Sequence, residues 1–196
     1  MKFLCYLFLV GMTMRALASL ARGIDAINET IGRIIAWLAL GMVLVQLIIV
    51  IMRYVFGLSV LMMQESIWYM HAIVFLVATG YTLLHNGHVR VDILYGNVGP
   101  VAKARIDLFG VTFILLPVCT MIWWVSWPYV MAAWAVREGS VEISGIQGVY
   151  LLKTCMLIFA GGLALQGVSL AIKSWFTIMG IEGGIVGDPG EQEHGQ

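Results

Sequence analysis

The chain has 196 residues, 61% hydrophobic and 11% charged, with 11 basic residues balanced by 11 acidic ones. A soluble domain carries about 45–50% apolar and about 25% charged residues. With a mean hydropathy of +0.93, the composition excludes a soluble enzyme, a disordered chain and a nucleic-acid binder with a basic footprint.

The first apolar run, Phe3–Met14, holds 12 residues. It is too short to cross a hydrocarbon core about 30 Å thick, which takes roughly 20 residues. After Lys2 it has the length of a signal-peptide core, and Ala16-Leu17-Ala18 offers a cleavage site. Arg15 between the two argues against cleavage, and a start at Met12 or Met14 is an equally plain reading. Residues 15–33 read as an amphipathic helix. Leu17, Leu20, Ile24, Ile27 and Ile31 recur at spacings of 3 and 4, while Arg15, Arg22, Asp25, Glu29 and Arg33 fall mostly off that stripe. In a membrane chain such a helix is expected in the plane of the interface. The plainer reading is an extension of the first span into water.

Four windows lack Asp, Glu, Lys and Arg and are long enough to span: Ile34–Met52, Ser66–Val89, Leu108–Val136 and Thr154–Ile172. Lys173, just past the last, is expected to snorkel. The fold class is therefore an all-α membrane protein of four transmembrane helices with an N-terminal amphipathic interfacial helix. Three parts follow: residues 1–33 as apolar segment and arm, 34–176 as the four-helix domain, and 177–196 as an acidic tail whose composition suggests disorder.

Orientation comes from Lys and Arg in the short flanks. Eight lie on the side of the N-terminus, the loop between spans two and three, and Lys173; three, Arg53, Arg137 and Lys153, lie on the other. Both termini are thus expected in the cytoplasm. No internal repeat is visible, and a complete secondary transporter is commonly built from two matched halves.

Polar groups inside the bilayer are the first functional candidates, because they are costly there. These are Gln46, His71 and Gln166. Interhelical hydrogen bonds are the expected role of both glutamines. His71 and His85 stand 14 residues apart on span two, close to one helical face. That spacing could serve stacked haems, but no other span supplies a histidine. A hydrogen-bonded His71 and an interfacial His85 are preferred. Cys5, Cys119 and Cys155 lack metal-site spacing and read as packing thiols.

Span three, with Trp123, Trp124, Trp127, Tyr129 and Trp134, is expected to reach the outer interface and to kink at Pro117 or Pro128. Gly161-Gly162 allows a close helix approach. Arg53 and Glu65 bracket the first outer loop, either paired or separately solvated. Asn86-Gly87 signals a turn at the end of span two.

The stretch Gly87-His88-Val89-Arg90-Val91-Asp92 resembles one in the small membrane subunit of tripartite ATP-independent periplasmic (TRAP) transporters, the DctQ-type family. Further elements follow in family order. They are Arg53-Tyr54-Val55-Phe56-Gly57, Gln64-Glu65, Asp107 with Gly110, Ser126-Trp127 with Glu138, and Lys153 followed by Leu165-Gln166-Gly167. The resemblance covers about residues 22–175. Ser144-Gly145-Ile146-Gln147 departs from the Gly-Gly-hydrophobic-Pro of many relatives.

The resemblance implies a non-catalytic scaffold for a large permease subunit that carries substrate and sodium sites and moves like an elevator. A periplasmic solute-binding protein would deliver the substrate, commonly a carboxylate. The chain would sit in a bacterial inner membrane, without cofactor or metal. Arg53, Gln64, Glu65 and Trp127 are candidates for the outer-face surface, His88, Arg90 and Asp92 for shaping the cytoplasmic turn, and Gln166 for helix association. The alternative is a haem-binding anchor of a redox complex, on His71 or His85.

Overall fold

The computed structural model describes residues 2–88 and 98–181, with side chains from Met12 onward. Arg90, Asp92 and the acidic tail lie outside the described residues. Four helices are long and apolar enough to cross a membrane. Here α1 is Lys2–Val55, α2 Leu61–Leu84, α3 Pro100–Ala135 and α4 Val149–Ile178. Among the described residues there is no strand.

Each helix stops where the backbone can turn. Gly57, at φ 66°, lets the Leu58 N–H return to Met52 O at 3.0 Å and closes α1. Asn86, at φ 54°, ends α2, with the Gly87 N–H on Thr82 O at 2.8 Å. Asparagine tolerates this left-handed cap position better than most residues do. The Asn86-Gly87 turn expected from the sequence is therefore present. Arg137 takes the same role after α3 at φ 46°, with the Glu138 N–H on Ala133 O at 2.9 Å. A side chain with a Cβ is strained there, so no sequence rule points to it.

Two helices contain a π-helical turn, Ile73–Val77 in α2 and Val111–Leu115 in α3. The second lies just before Pro117, which has no N–H for the carbonyl of residue 113. A widened turn is one way a helix absorbs such a gap.

The architecture has a hub. α4 touches all three other helices, α1 also packs along α2, and α3 packs extensively on α4 alone. In the most apolar window of α4, 33% of the residues are buried, against 6–11% in the other three helices. Ser126, Val130 and Ala133 of α3 face α4, and Gly161 lies against the Trp123 ring, where a Cβ would stand 2.9 Å from it. Close approach at Gly161 is thus realised within the chain, while Gly162 faces open space.

The N-terminal region differs from the expected interfacial helix. Residues 15–33 are not a separate element: α1 runs unbroken for 54 residues, about 81 Å at 1.5 Å per residue. The face it turns to the bundle is not the apolar stripe. Ala21, Ile24, Asn28, Gly32 and Ile35 are buried, whereas Leu17, Leu20 and Ile27 are exposed. Polar partners on α4 hold this face inward.

Candidate functional site

Among the described residues, two groups of bonded polar side chains lie at the two ends of the bundle. The first group lies where α1 crosses the last turns of α4. Asn28, Asp25, Gln166, Ser169 and Lys173 are placed by helical spacing: 25 and 28 share one face of α1, and 166, 169 and 173 share one face of α4. Gln166, 2% exposed, accepts from Asn28 Nδ2 at 2.7 Å and donates through Nε2 to Asp25 Oδ1 at 3.0 Å. Ser169 donates to the same oxygen at 2.8 Å. Lys173 Nζ closes on Asp25 Oδ2 at 2.6 Å. Asn28 also donates to Ile24 O at 3.2 Å. No buried side-chain nitrogen or oxygen among the described residues is left without a partner, which is what makes a buried polar network tolerable.

Gln166 was expected to bond between helices, and it does. Lys173, which the sequence allowed to snorkel, ends on Asp25. Asp25 and Asn28 were not singled out by the sequence, although with Gly32 they form a 3- and 4-spaced stripe like the apolar one. Two glycines let the helices approach here. A Cβ on Gly32 would enter the Tyr81 ring, and one on Gly80 would collide with Asn28 Oδ1. Beside this group, Glu29 links Arg33 at 3.0 Å and His85 Nε2 at 2.7 Å on the surface.

The second group lies at the opposite end. Glu65, 6% exposed, is the first buried residue of α2. Its carboxylate accepts from Ser140 Oγ and from the Ile146 N–H, both at 2.5 Å. Gly145 leaves the necessary space: a Cβ there would lie 2.6 Å from both carboxylate oxygens. Glu65 thereby staples the loop between α3 and α4 to α2. Tyr69 OH adds a bond to Ile146 O at 3.4 Å. Nearby, Lys153 pairs with Glu138 at 2.5 Å and lies over the Tyr129 ring at 4.1 Å, and Trp134 Nε1 donates to Thr154 at 2.9 Å. The Ser144–Gln147 departure from the family pattern thus falls in a loop fixed by backbone and hydroxyl contacts to Glu65.

The remaining candidates divide plainly. Arg53 is exposed, and Glu65 bonds elsewhere, so the two do not form the pair that the sequence left open. Gln64 is half-buried and donates to Ser59 Oγ at 3.2 Å. Trp127 is 48% exposed and stacks on Trp123. His88 is exposed at the edge of the described segment. Gln46 corrects an expectation: it is exposed on α1 and makes no hydrogen bond among the described residues. His71 is likewise exposed and stacks on Phe75, at 5.9 Å between centroids.

The histidine pair does not make a two-haem face. The π-helical turn at Ile73–Val77 lies between His71 and His85. One extra residue in a turn rotates everything beyond it by about 100°, so the shared face implied by 14-residue spacing is lost. His85 is further occupied by Glu29 and packs on Tyr81, at 4.4 Å between centroids. Cys119 and Cys155 are buried free thiols, and no metal-like group of His, Cys, Asp or Glu occurs among the described residues.

Four apolar helices whose polar groups close on one another, leaving broad apolar faces outside, define a multi-pass helical membrane protein. Residues 42–177, more than half of the chain, match the family model of the DctQ component of tripartite ATP-independent periplasmic transporters. The chain belongs to this family, the small permease component of TRAP transporters. No curated protein and no solved structure matches it significantly.

Proposed function

We propose that the chain is the fixed membrane scaffold of a TRAP transporter. It would hold a large permease subunit during sodium-coupled uptake of a carboxylate-type solute that a periplasmic binding protein delivers. The observation that carries this reading is where the charges sit. Asp25 with Lys173, and Glu65, close into clamps at the two ends of the bundle, and no Asp, Glu, Lys or Arg occupies the apolar windows between. A chain that itself conducts protons or sodium needs ionisable or exposed backbone groups at mid-depth. This one spends its polar groups on fixing its own helices. Its exposed apolar surface, on α1, α3 and the outer side of α2, is available to lipid and to a larger partner.

In this reading the chain sits in a bacterial inner membrane with both termini cytoplasmic. The Glu65 staple then faces the periplasm and the Asp25 network the cytoplasm. Arg53, Gln64 and Trp127 belong to the periplasmic end, while His88, Arg90 and Asp92 belong to the cytoplasmic turn. The test is a clean deletion. Uptake of the cognate solute should be lost and return with the gene in trans, and the tagged chain should co-purify a large permease in mild detergent. Uptake that persists in the deletion strain overturns the proposal.

A further inference from the structure

The docked part of α1 has three faces, and only one meets the bundle. At about 100° per residue, Ala21, Ile24, Asn28, Gly32 and Ile35 form the buried face. Leu20, Ile27 and Ile34 recur every seven residues on a second face, and all three are more than half exposed. Arg15, Arg22 and Arg33 lie together on a third. The acids of this region are already engaged, Asp25 by Lys173 and Glu29 by Arg33 and His85. Arg15 and Arg22 are exposed and make no ion pair among the described residues. The free surface is therefore a basic edge beside an apolar stripe.

What covers it follows from continuity and charge. Beyond Ile34 the exposed surface of α1 is apolar: Leu40, Leu44, Leu47 and Ile51 continue the face that carries Arg15, Arg22 and Arg33, and a spanning helix turns such residues to lipid. From Leu20 to Val55 the helix measures about 52 Å. A bilayer including its headgroup layers is about 40–45 Å thick. A straight helix of that length fits at a tilt of about 35°, inside the observed range of about 0–40°. Tilted so, Leu20 and Ile27 stay within one leaflet's interface, and Arg15 and Arg22 lie at its polar edge. That is how amphipathic helices bind anionic membranes.

We propose that residues 12–33 of α1 bind the anionic phospholipid headgroups of the leaflet at this end, with Arg15 and Arg22 on phosphate and the Leu20–Ile27–Ile34 stripe against acyl chains. The proposal needs only that the chain spans a membrane, and it stands apart from the scaffold reading. The arm is then a lipid-anchored continuation of the first span rather than a separate helix lying flat.

The test uses the full chain in nanodiscs. One set contains phosphatidylglycerol and phosphatidylethanolamine at 1:3, the other phosphatidylcholine alone. A C5S/L20C double variant carries an environment-sensitive fluorophore at position 20, the buried Cys119 and Cys155 remaining unlabelled. The expected result is shielding from a water-soluble quencher in the anionic discs and less shielding in phosphatidylcholine. On native mass spectrometry, phosphatidylglycerol retention should fall about fivefold for R15Q or R22Q and about thirtyfold for the pair, since each basic residue near an anionic surface contributes about that factor. Full quencher access in both discs overturns the proposal. So does equal retention in the wild type and the R15Q/R22Q pair, or shielding that appears only when a second copy or another protein co-purifies.

Discussion

The two polar clamps solve the same problem differently. At the α2 end, one buried carboxylate, without an ion pair among the described residues, holds a loop through a hydroxyl and a backbone N–H. At the α1–α4 crossing, a carboxylate, a lysine and three uncharged side chains hold two helices together, part-exposed at the edge. The first places an anion where only dipoles stabilise it, so its donors are indispensable. The second shares its charge across several partners, so losing one leaves others. Stability should therefore be more sensitive at Glu65 than at Asp25, although Asp25 makes more contacts.

The largest effect is expected for Glu65→Ala. It leaves the part-buried Ser140 hydroxyl and Ile146 N–H without their acceptor. Hydrogen bonds to charged groups contribute about 1.5–3 kcal/mol each, and orphaned donors add a further cost. A loss of about 3 kcal/mol is expected, with protease cleavage appearing in residues 139–148. Thermal unfolding in detergent together with limited proteolysis measures both. An intact loop with an unchanged midpoint would mean that Glu65 does not staple it.

Asp25→Ala should cost less, about 2 kcal/mol, because the side chains of the ion pair retain 19% and 23% exposure and water can solvate the lysine left behind. The sharper measurement is a double-mutant cycle of Asp25→Asn with Lys173→Met. Coupling of about 1 kcal/mol or more is expected for groups in one network. Additive effects would separate the lysine from the clamp.

The same contrast shows what a sequence can disclose. Span number and approximate bounds were legible, because about 20 apolar residues without charge have few other uses. The Asn86-Gly87 turn and the hydrogen-bonding role of Gln166 were legible for similar local reasons. The partners of Gln166, Asn28 and Asp25, were not: they lie 138 and 141 residues away. Local periodicity cannot say which of two stripes on residues 15–33 will dock. The sequence set the Leu17, Leu20 and Ile27 stripe in the interface and left the docking face open; in lipid an apolar face gains little by packing, whereas a polar face needs partners. Asp25 and Asn28 therefore turn inward. The same reasoning explains Glu65, which the sequence left either paired with Arg53 or solvated and which is buried under a loop whose contacts lie 75 and 81 residues away.

The smallest prediction concerns glycines and reverses sign across the molecule. Gly80→Ala should destabilise by about 1–2 kcal/mol, because its Cβ would displace Asn28 and with it the bond to Gln166. Gly162→Ala adds a methyl to open space on α4, with nothing within 4 Å. In a helix interior that exchange stabilises by roughly 0.5–1 kcal/mol, since glycine loses more backbone freedom on folding. In detergent the two midpoints should move in opposite directions, with the rise for Gly162→Ala the smaller. If Gly162→Ala lowers the midpoint of the chain alone, the α4 surface at that position is packed within the chain. If it leaves the isolated chain stabilised but weakens capture of a large permease, the open space at Gly162 is where the partner approaches, and the glycine is kept for assembly rather than for folding.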